Sequence, residues 1–219
     1  MNILQFEDYL KIDTEFFNQA DLRTLNHYIE RFMYTVHFEN ISVQKITQEA
    51  NVTRGTFYLH YHDKQDFIDR AMDEILDDLF DNIMIMSKQT PDKKYVYSNP
   101  VEVCCLDRVF NYLQDESMMF GVLLNSQEDV AFSDKVYDRL VIYLNNFREQ
   151  LAGDFEVSKI PNELQVSYVA SAHLGFIKRW LRDDMIYTPH YVAKVLKEIT
   201  GVDTSNGVNL THFFVENEG

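Results

Sequence analysis

Apolar residues recur at spacings of three and four along nearly the whole chain, the signature of helices with one buried face. Leu22, Leu25, Ile29, Phe32, Met33 and Val36 form the inner face of a first helix that should end over 37–40. A short helix is expected from Ser42 and another from Thr53. A longer one opens at Asp63, whose carboxylate can cap the free amides, and continues through Phe67, Ala71, Ile75, Leu79 and Met86. At 1.5 Å per residue its roughly 24 residues reach about 36 Å, enough to join two domains. Segment 90–100, with Pro91, Ser98 and Asn99, reads as a loop. Further helices are expected over 101–115, 118–125 and 129–151. Pro161 opens another to about Arg182, and Thr188 with Pro189 opens the last, which Gly201 ends. No stretch shows sustained alternation of period two, so the expected fold is all-α. The boundaries predicted are an extension over 1–20, a three-helix head over 21–66, a helical domain over 67–202 and a polar tail over 203–219, in which His212 to Val215 can dock.

Composition narrows this picture. The chain has 219 residues, 46% of them apolar, enough for one or two helical cores without staples or a cofactor. Its first ten residues mix Glu7 and Asp8 into apolar positions, unlike a secretory signal, and no run approaches the 20 or so apolar residues of a membrane span. The two cysteines, Cys104 and Cys105, are adjacent, which suits small core residues in a reducing compartment better than a disulfide; a cytoplasmic location is expected. The net charge of −15 counts against a nucleic-acid partner, because DNA affinity rests on cations that neutralise phosphates.

The segment from Ile41 to Phe67 answers that objection. Ser42 caps a helix whose Val43, Ile46 and Ala50 face inward. Asn51 sits where the chain must turn, and Val52 plugs the corner. Thr53 caps a second helix, leaving its first amides facing outward beside Arg54, Gly55, Thr56 and Tyr58. Such a helix fits the major groove, with Arg54 able to pair with guanine and Thr56 to meet a thymine methyl or a phosphate. Gly55 lets the backbone approach closely, a reason for a residue that otherwise weakens a helix. Around it, Arg23, Arg31, Lys45, Arg54, Lys64 and Arg70 nearly balance Asp21, Glu30, Glu39, Glu49, Asp63, Asp66 and Asp69, so the head is near neutral. The candidate DNA-contacting set is Ser42, Lys45, Thr53, Arg54, Gly55, Thr56, Tyr58, His60 and Lys64.

This run, Ile46 then Ala50-Asn51-Val52-Thr53-Arg54-Gly55-Thr56-Phe57-Tyr58-Leu59-His60-Tyr61-His62-Asp63-Lys64 to Phe67, resembles the signature of the TetR family. The resemblance implies Tyr58 and Lys64 on the phosphate backbone and Arg54, Gly55 and Thr56 toward the bases. Asn51 replaces the family's usual glycine, and the usual basic N-terminal arm is missing, Lys11 being the sole Lys or Arg over 1–20. The implied partners are double-stranded operator DNA, a second copy of the chain and an unidentified small-molecule effector, with no membrane.

In the C-terminal half, Ser167, Ser171 and Gly175 lie four residues apart beside Leu164, Tyr168 and Ala172, and the last helix carries Val192, Val195, Leu196 and Ile199. Periodicity alone suits a core or a dimer seam equally. The run from Gly175 to Asp184 followed by Thr188-Pro189 resembles a TetR subgroup in which the last two helices build a four-helix dimer interface. That resemblance assigns the interface to Leu164, Ser167, Tyr168, Ser171, Gly175, Val192, Val195 and Leu196. It likewise implies an effector pocket, for which Phe80, Met84, Phe110, Met119, Phe120 and Tyr143 are candidates, each of them readable also as plain core.

Other classes leave little trace. There is no phosphate-binding glycine loop, no Gly-x-Ser-x-Gly elbow and no HExxH, so no catalytic residues, cofactor or metal are expected. His60 and His62 read as polar surface before they read as ligands. The rival reading is an acidic ligand sensor or interaction module of the same fold that no longer binds DNA.

Overall fold

The computed structural model describes residues 42–49, 53–91, 93–125, 131–155, 158–200 and 207–216. The first core helix, the turn residues Ala50, Asn51 and Val52, and Gly201 lie outside them. The chain divides into two compact units, Met1–Ile75 and Leu76–Gly219.

In the first unit, α1 (Val43–Glu49) and α2 (Arg54–His60) pack on each other, and α3 (Lys64–Ile83) begins just beyond. Capping sets all three starts. Ser42 Oγ accepts from the Lys45 amide at 3.2 Å, and Thr53 Oγ1 from the Thr56 amide at 3.1 Å. At α3 the caps are reciprocal: Asp63 Oδ1 accepts from the Asp66 amide at 2.9 Å, and Asp66 Oδ2 accepts from the His62 amide at 2.8 Å. Phe57, buried on α2, meets Tyr61 and Phe67 at ring separations of 5.2 and 5.7 Å, which fixes the rotation of α2 about its axis.

The second unit is mostly helical, as expected, but it contains a small sheet that the periodicity did not predict. The helix α3 stops at Ile83, and Met84, expected on that helix, opens β1 (Met84–Gln89). The segment read as a loop forms a hairpin with β2 (Val96–Cys105), antiparallel in the register Met84↔Cys104 to Ser87↔Val101. In β2, Val101 and Val103 are buried with Glu102 exposed between them, but Cys104 and Cys105 are both buried, so the alternation is only three residues long, next to Pro100. Pro100 itself falls between the paired positions Val96 and Val101, where the register shifts and no ladder bond needs its missing amide.

Four helices of the core follow: α4 (Leu106–Asp115), α5 (Ser117–Asn125), α6 (Ala131–Gln150) and α7 (Asn162–Arg182). The helix expected over 101–115 therefore begins only at Leu106, after the strand. Last comes α8 (Pro189–Thr200), which packs on α4 through Val192, Ala193 and Leu196. His190 Nδ1 lies 2.9 Å from the buried Asp107 carboxylate, tying the start of α8 to the start of α4. Aromatic rings fill the interior, Phe110 edge-on to Trp180 at 5.0 Å and Phe147 to Phe213 at 5.6 Å.

Phe213 belongs to the polar tail, and the tail does dock. A 3-10 turn (Leu210–Phe213) leads into β3 (Phe214–Val215), which pairs in parallel with β2, Cys104↔Phe214 and Cys105↔Val215. Lys197 Nζ of α8 donates to the carbonyls of Thr211 at 3.1 Å and Phe214 at 2.7 Å. The Phe214 ring lies flat on the imidazole of His173, 3.6 Å between centroids.

His173, 2% exposed, donates from Nδ1 to the Val169 carbonyl at 2.7 Å, since a carbonyl can only accept. Its Nε2 has no protein partner among the described residues. Burial first, and nearby Lys197 in addition, push its pKa down to about 4 from an ordinary 6.5. Between those values the unfolded chain takes up a proton that the folded one refuses, so stability rises with pH across the window and is fully present above 6.5. The difference corresponds to about 3 kcal/mol, lost progressively from pH 6.5 to pH 4. Urea titrations across this range should show a steeper acid loss in the natural protein than in His173→Leu.

Candidate nucleic-acid interface

Most of α2 faces outward. Arg54, Gly55, Tyr58, Leu59 and His60 are all exposed, with Tyr58 at 57% and Leu59 at 83%, while Phe57 on the opposite side is buried. Thr53 and Thr56 share a hydroxyl contact of 3.0 Å at the start of the helix. A side chain built at Gly55 would meet only Thr53 Oγ1, at 3.5 Å, so the position is open on its outer side. The Arg54 guanidinium donates to Gln44 Oε1 at 3.0 Å, so a residue of α1 aims the principal cation of α2. Ser42, Lys45 and Lys64 flank this surface, Ser42 exposed and both lysines half-buried. Sequence reasoning passed over Gln44 and Leu59. Gln44 was legible as a polar position on the outer side of α1, opposite the inward Val43 and Ile46; nothing local marked Leu59.

The acidic residues next to α2 are engaged within the chain. The Asp66 carboxylate forms a two-bond pair with Arg70, 2.8 and 3.1 Å, and accepts from the His62 amide. Those bonds, Arg70 first, hold its pKa below the usual carboxylate value. Asp63 is lowered likewise, chiefly by the Asp66 amide and then by the His62 ring. Arg70 also lies over the Tyr61 ring, 5.7 Å from its centroid.

The second unit separates the two other sets of candidates. Of the six pocket candidates, Phe110, Met119 and Phe120 are buried in helix packing, Met84 stands on β1, and Tyr143 stacks on Phe80 at 5.1 Å. An apolar cavity of about 50 Å³ does lie in this unit, and only Phe80 of the six lines it; the other walls include Ile83, Cys104, Leu140, His173 and Phe214. Of the other candidates, Phe110 packs on Phe176 and Trp180, and Phe120 on Tyr112 and Phe132, as core residues. On α7, Leu164, Tyr168, Ser171 and Gly175 are exposed, Leu164 at 62% and Tyr168 at 75%. Ser167 is half-buried and accepts from the Tyr137 hydroxyl at 2.9 Å. Val195 is half-buried, whereas Val192 and Leu196 are buried against α4 in their own chain, which removes them from an exposed seam.

Among the described residues no His, Cys, Asp and Glu group could hold a metal, and no helix is long and apolar enough to cross a membrane. Burial raises the pKa of both Cys104 and Cys105.

Two short capped helices, the second presenting a polar and aromatic outer face, are the geometry of a helix-turn-helix reader of DNA. Residues 32–71 match the family of bacterial regulatory proteins called tetR, and residues 104–201 match the C-terminal region of a transcriptional regulator. The chain belongs to the TetR family, and its domains are those of a DNA-binding transcriptional regulator. Its fold is similar to that of a TetR transcriptional regulator from Streptococcus agalactiae 2603V, 18% identical, covering 83% of this chain and 93% of that one with a TM-score of 0.59. It is also similar to the dihydroxyacetone kinase operon activator DhaS, 14% identical, covering 83% and 96% with a TM-score of 0.53. No curated protein matches the sequence.

Because Thr53 supplies the cap that starts α2, Thr53→Ala should lower the stability of the first unit by about 1 kcal/mol. Thermal melts followed by circular dichroism would register this, and a serine there should restore most of it.

Proposed function

We propose that the protein is a sequence-specific repressor that binds operator DNA as a homodimer and is released by a small-molecule effector. The observation that carries the DNA contact is the outward face of α2, where Arg54, Gly55 and Tyr58 are exposed while Phe57 anchors the helix from behind. Arg54 pairs with guanine, Thr56 meets a thymine methyl or phosphate, and Tyr58, Lys45, Lys64 and His60 contact the backbone. The exposed row of α7, with Leu164 and Tyr168 flanking Ser171 and Gly175, forms the contact with a second copy; small residues there allow two such helices to approach closely. Release follows from population shift: an effector that binds better to a conformer unable to engage DNA lowers operator affinity by that preference. The helix α3 offers a covalent route, since its capped start follows α2 directly and Phe80 and Ile83 near its end line the cavity.

Fluorescence anisotropy on duplex from upstream of the protein's own gene, at low salt, tests the DNA contact. Arg54→Ala should weaken binding about tenfold or more and relax preference at one base pair, and Tyr58→Ala should weaken it on all sequences alike. With few cations per subunit, the dependence on salt should be shallow. Failure to retain any duplex at any ionic strength would leave the acidic sensor of the same fold as the function. For the dimer, Tyr168→Glu should yield monomers in sedimentation while the circular dichroism spectrum stays unchanged; a natural protein that sediments as a monomer at micromolar concentration overturns the assignment.

A further inference from the structure

We propose that Gln44 is a positioning residue for base reading: its side-chain carbonyl holds the Arg54 guanidinium with one edge free to pair with guanine. The proposal rests on the reading of α2 as the DNA-contacting helix and names the group that sets its base preference. Arg54 Nη2 lies 3.0 Å from Gln44 Oε1, and among the described residues no other hydrogen bond or ion pair engages the Arg54 side chain. A guanidinium can only donate, so the Gln44 amide must turn its oxygen toward it. Gln44 and Arg54 are both exposed, while α1 packs on α2 and Phe57 is buried on the other side of α2, so the bond lies at the surface that the two helices present together.

The shape of the guanidinium gives the tether its consequence. Its N–H groups form two forks of parallel donors, Nε with Nη2 along one edge and Nη1 with Nη2 at the tip. Recognition of guanine needs one complete fork on O6 and N7. Nη2 contributes one hydrogen to each fork, so the bond to Gln44 occupies one fork and leaves the other whole. An untethered arginine presents either fork from a long flexible stem and meets phosphates and bases alike. The tether turns that general cation into a reader with a fixed edge, and the ordering is done before DNA arrives, which lowers the entropy lost on binding. The residue type fits this role. Glutamine accepts a hydrogen bond without carrying charge, so the guanidinium keeps its full charge for the duplex, whereas a glutamate would hold the same edge but set a carboxylate against the phosphates.

Selection by the full-length protein from a pool of randomised duplexes at low salt, followed by anisotropy on the selected duplex and its single-base-pair variants, tests the tether. Gln44→Met keeps the length and helix tendency of the side chain and removes the acceptor. It should lower the preference for guanine about fivefold at the base pair where Arg54→Ala relaxes it, leave the other positions unchanged, and cost nothing further when added to Arg54→Ala. Gln44→Glu should preserve the preference and weaken binding about tenfold on all duplexes. Both substitutions fall on an exposed position, so the core is left intact. Unchanged preference in Gln44→Met, or lost preference in Gln44→Glu, overturns the proposal. A change at a different base pair, or additive losses in the double variant, overturns it too, because either makes Gln44 a separate contact. The two readings fail in different ways. A natural protein that retains no duplex sinks the DNA contact and the tether with it; one that selects a sequence while Arg54→Ala relaxes no position keeps the DNA contact and sinks the tether alone.

Discussion

The second unit depends on a two-residue strand at the far end of the sequence. The parallel pairing of Phe214 and Val215 with Cys104 and Cys105 extends the hairpin into a sheet and brings Phe213 against Phe147 in the core. It also lays Phe214 on His173. So few residues give little pairing energy of their own, and the strand is held by what surrounds it. Lys197 spans two tail carbonyls, and Leu210, Phe213 and Phe214 are buried. Burial of side chains of this size contributes on the order of 2 kcal/mol each, more than a few ladder bonds. The tail is therefore part of the core of its unit, and its Phe214 is itself a wall of the cavity.

The helical architecture was legible because three- and four-residue spacing survives wherever a helix has one wet face, as in α4, α6 and α8. The sheet was not, for reasons that particular residues make clear. Met84 and Met86 continue the apolar rhythm of α3, so the sequence carries no mark of the change at Ile83, where the backbone leaves the helix. In β2 the alternation occupies only Val101 to Val103, next to a proline that ordinarily argues against a strand. The tail looked polar because Asp203, Asn206, Asn209 and Thr211 dilute the four residues that dock. On the DNA-reading side, the caps at Ser42, Thr53 and Asp63 stand in the structure as the residue types imply. The tether from Gln44 to Arg54 was hidden, because ten positions of sequence separate two groups that the packing of α1 on α2 brings to 3.0 Å.

An acidic chain that reads DNA has to dispose of its carboxylates near the contact surface. Asp63 and Asp66 stand beside α2 in sequence, yet each is used as a helix cap, and Asp66 is further paired with Arg70. Neither cap is an idle negative charge. Both carboxylates are held ionised by amides and a guanidinium, whose dipoles and charge offset their field locally. Other carboxylates, among them Asp77 and Asp78 on α3, Glu102 on β2 and Asp183 after α7, belong to the second unit. The net charge of −15 therefore misstates the potential that a groove would meet, although it still limits the non-specific attraction available.

The division of labour between α7 and α8 follows from the same accounting of faces. Each carries an apolar stripe, and from spacing alone either stripe would serve a core or a seam. A helix cannot present one stripe to both. Val192, Ala193 and Leu196 are consumed by α4, and the His190–Asp107 contact locks the start of α8 in that orientation, which turns Tyr191, Lys194 and Glu198 outward. On α7 the inward row of Val166, Val169, Ala170, His173 and Leu174 closes the core, yet a second apolar row of Leu164 and Tyr168 remains in water beside Ser171 and Gly175. Exposed side chains of that size next to a strip without bulk are what a helix needs for close approach to its own copy.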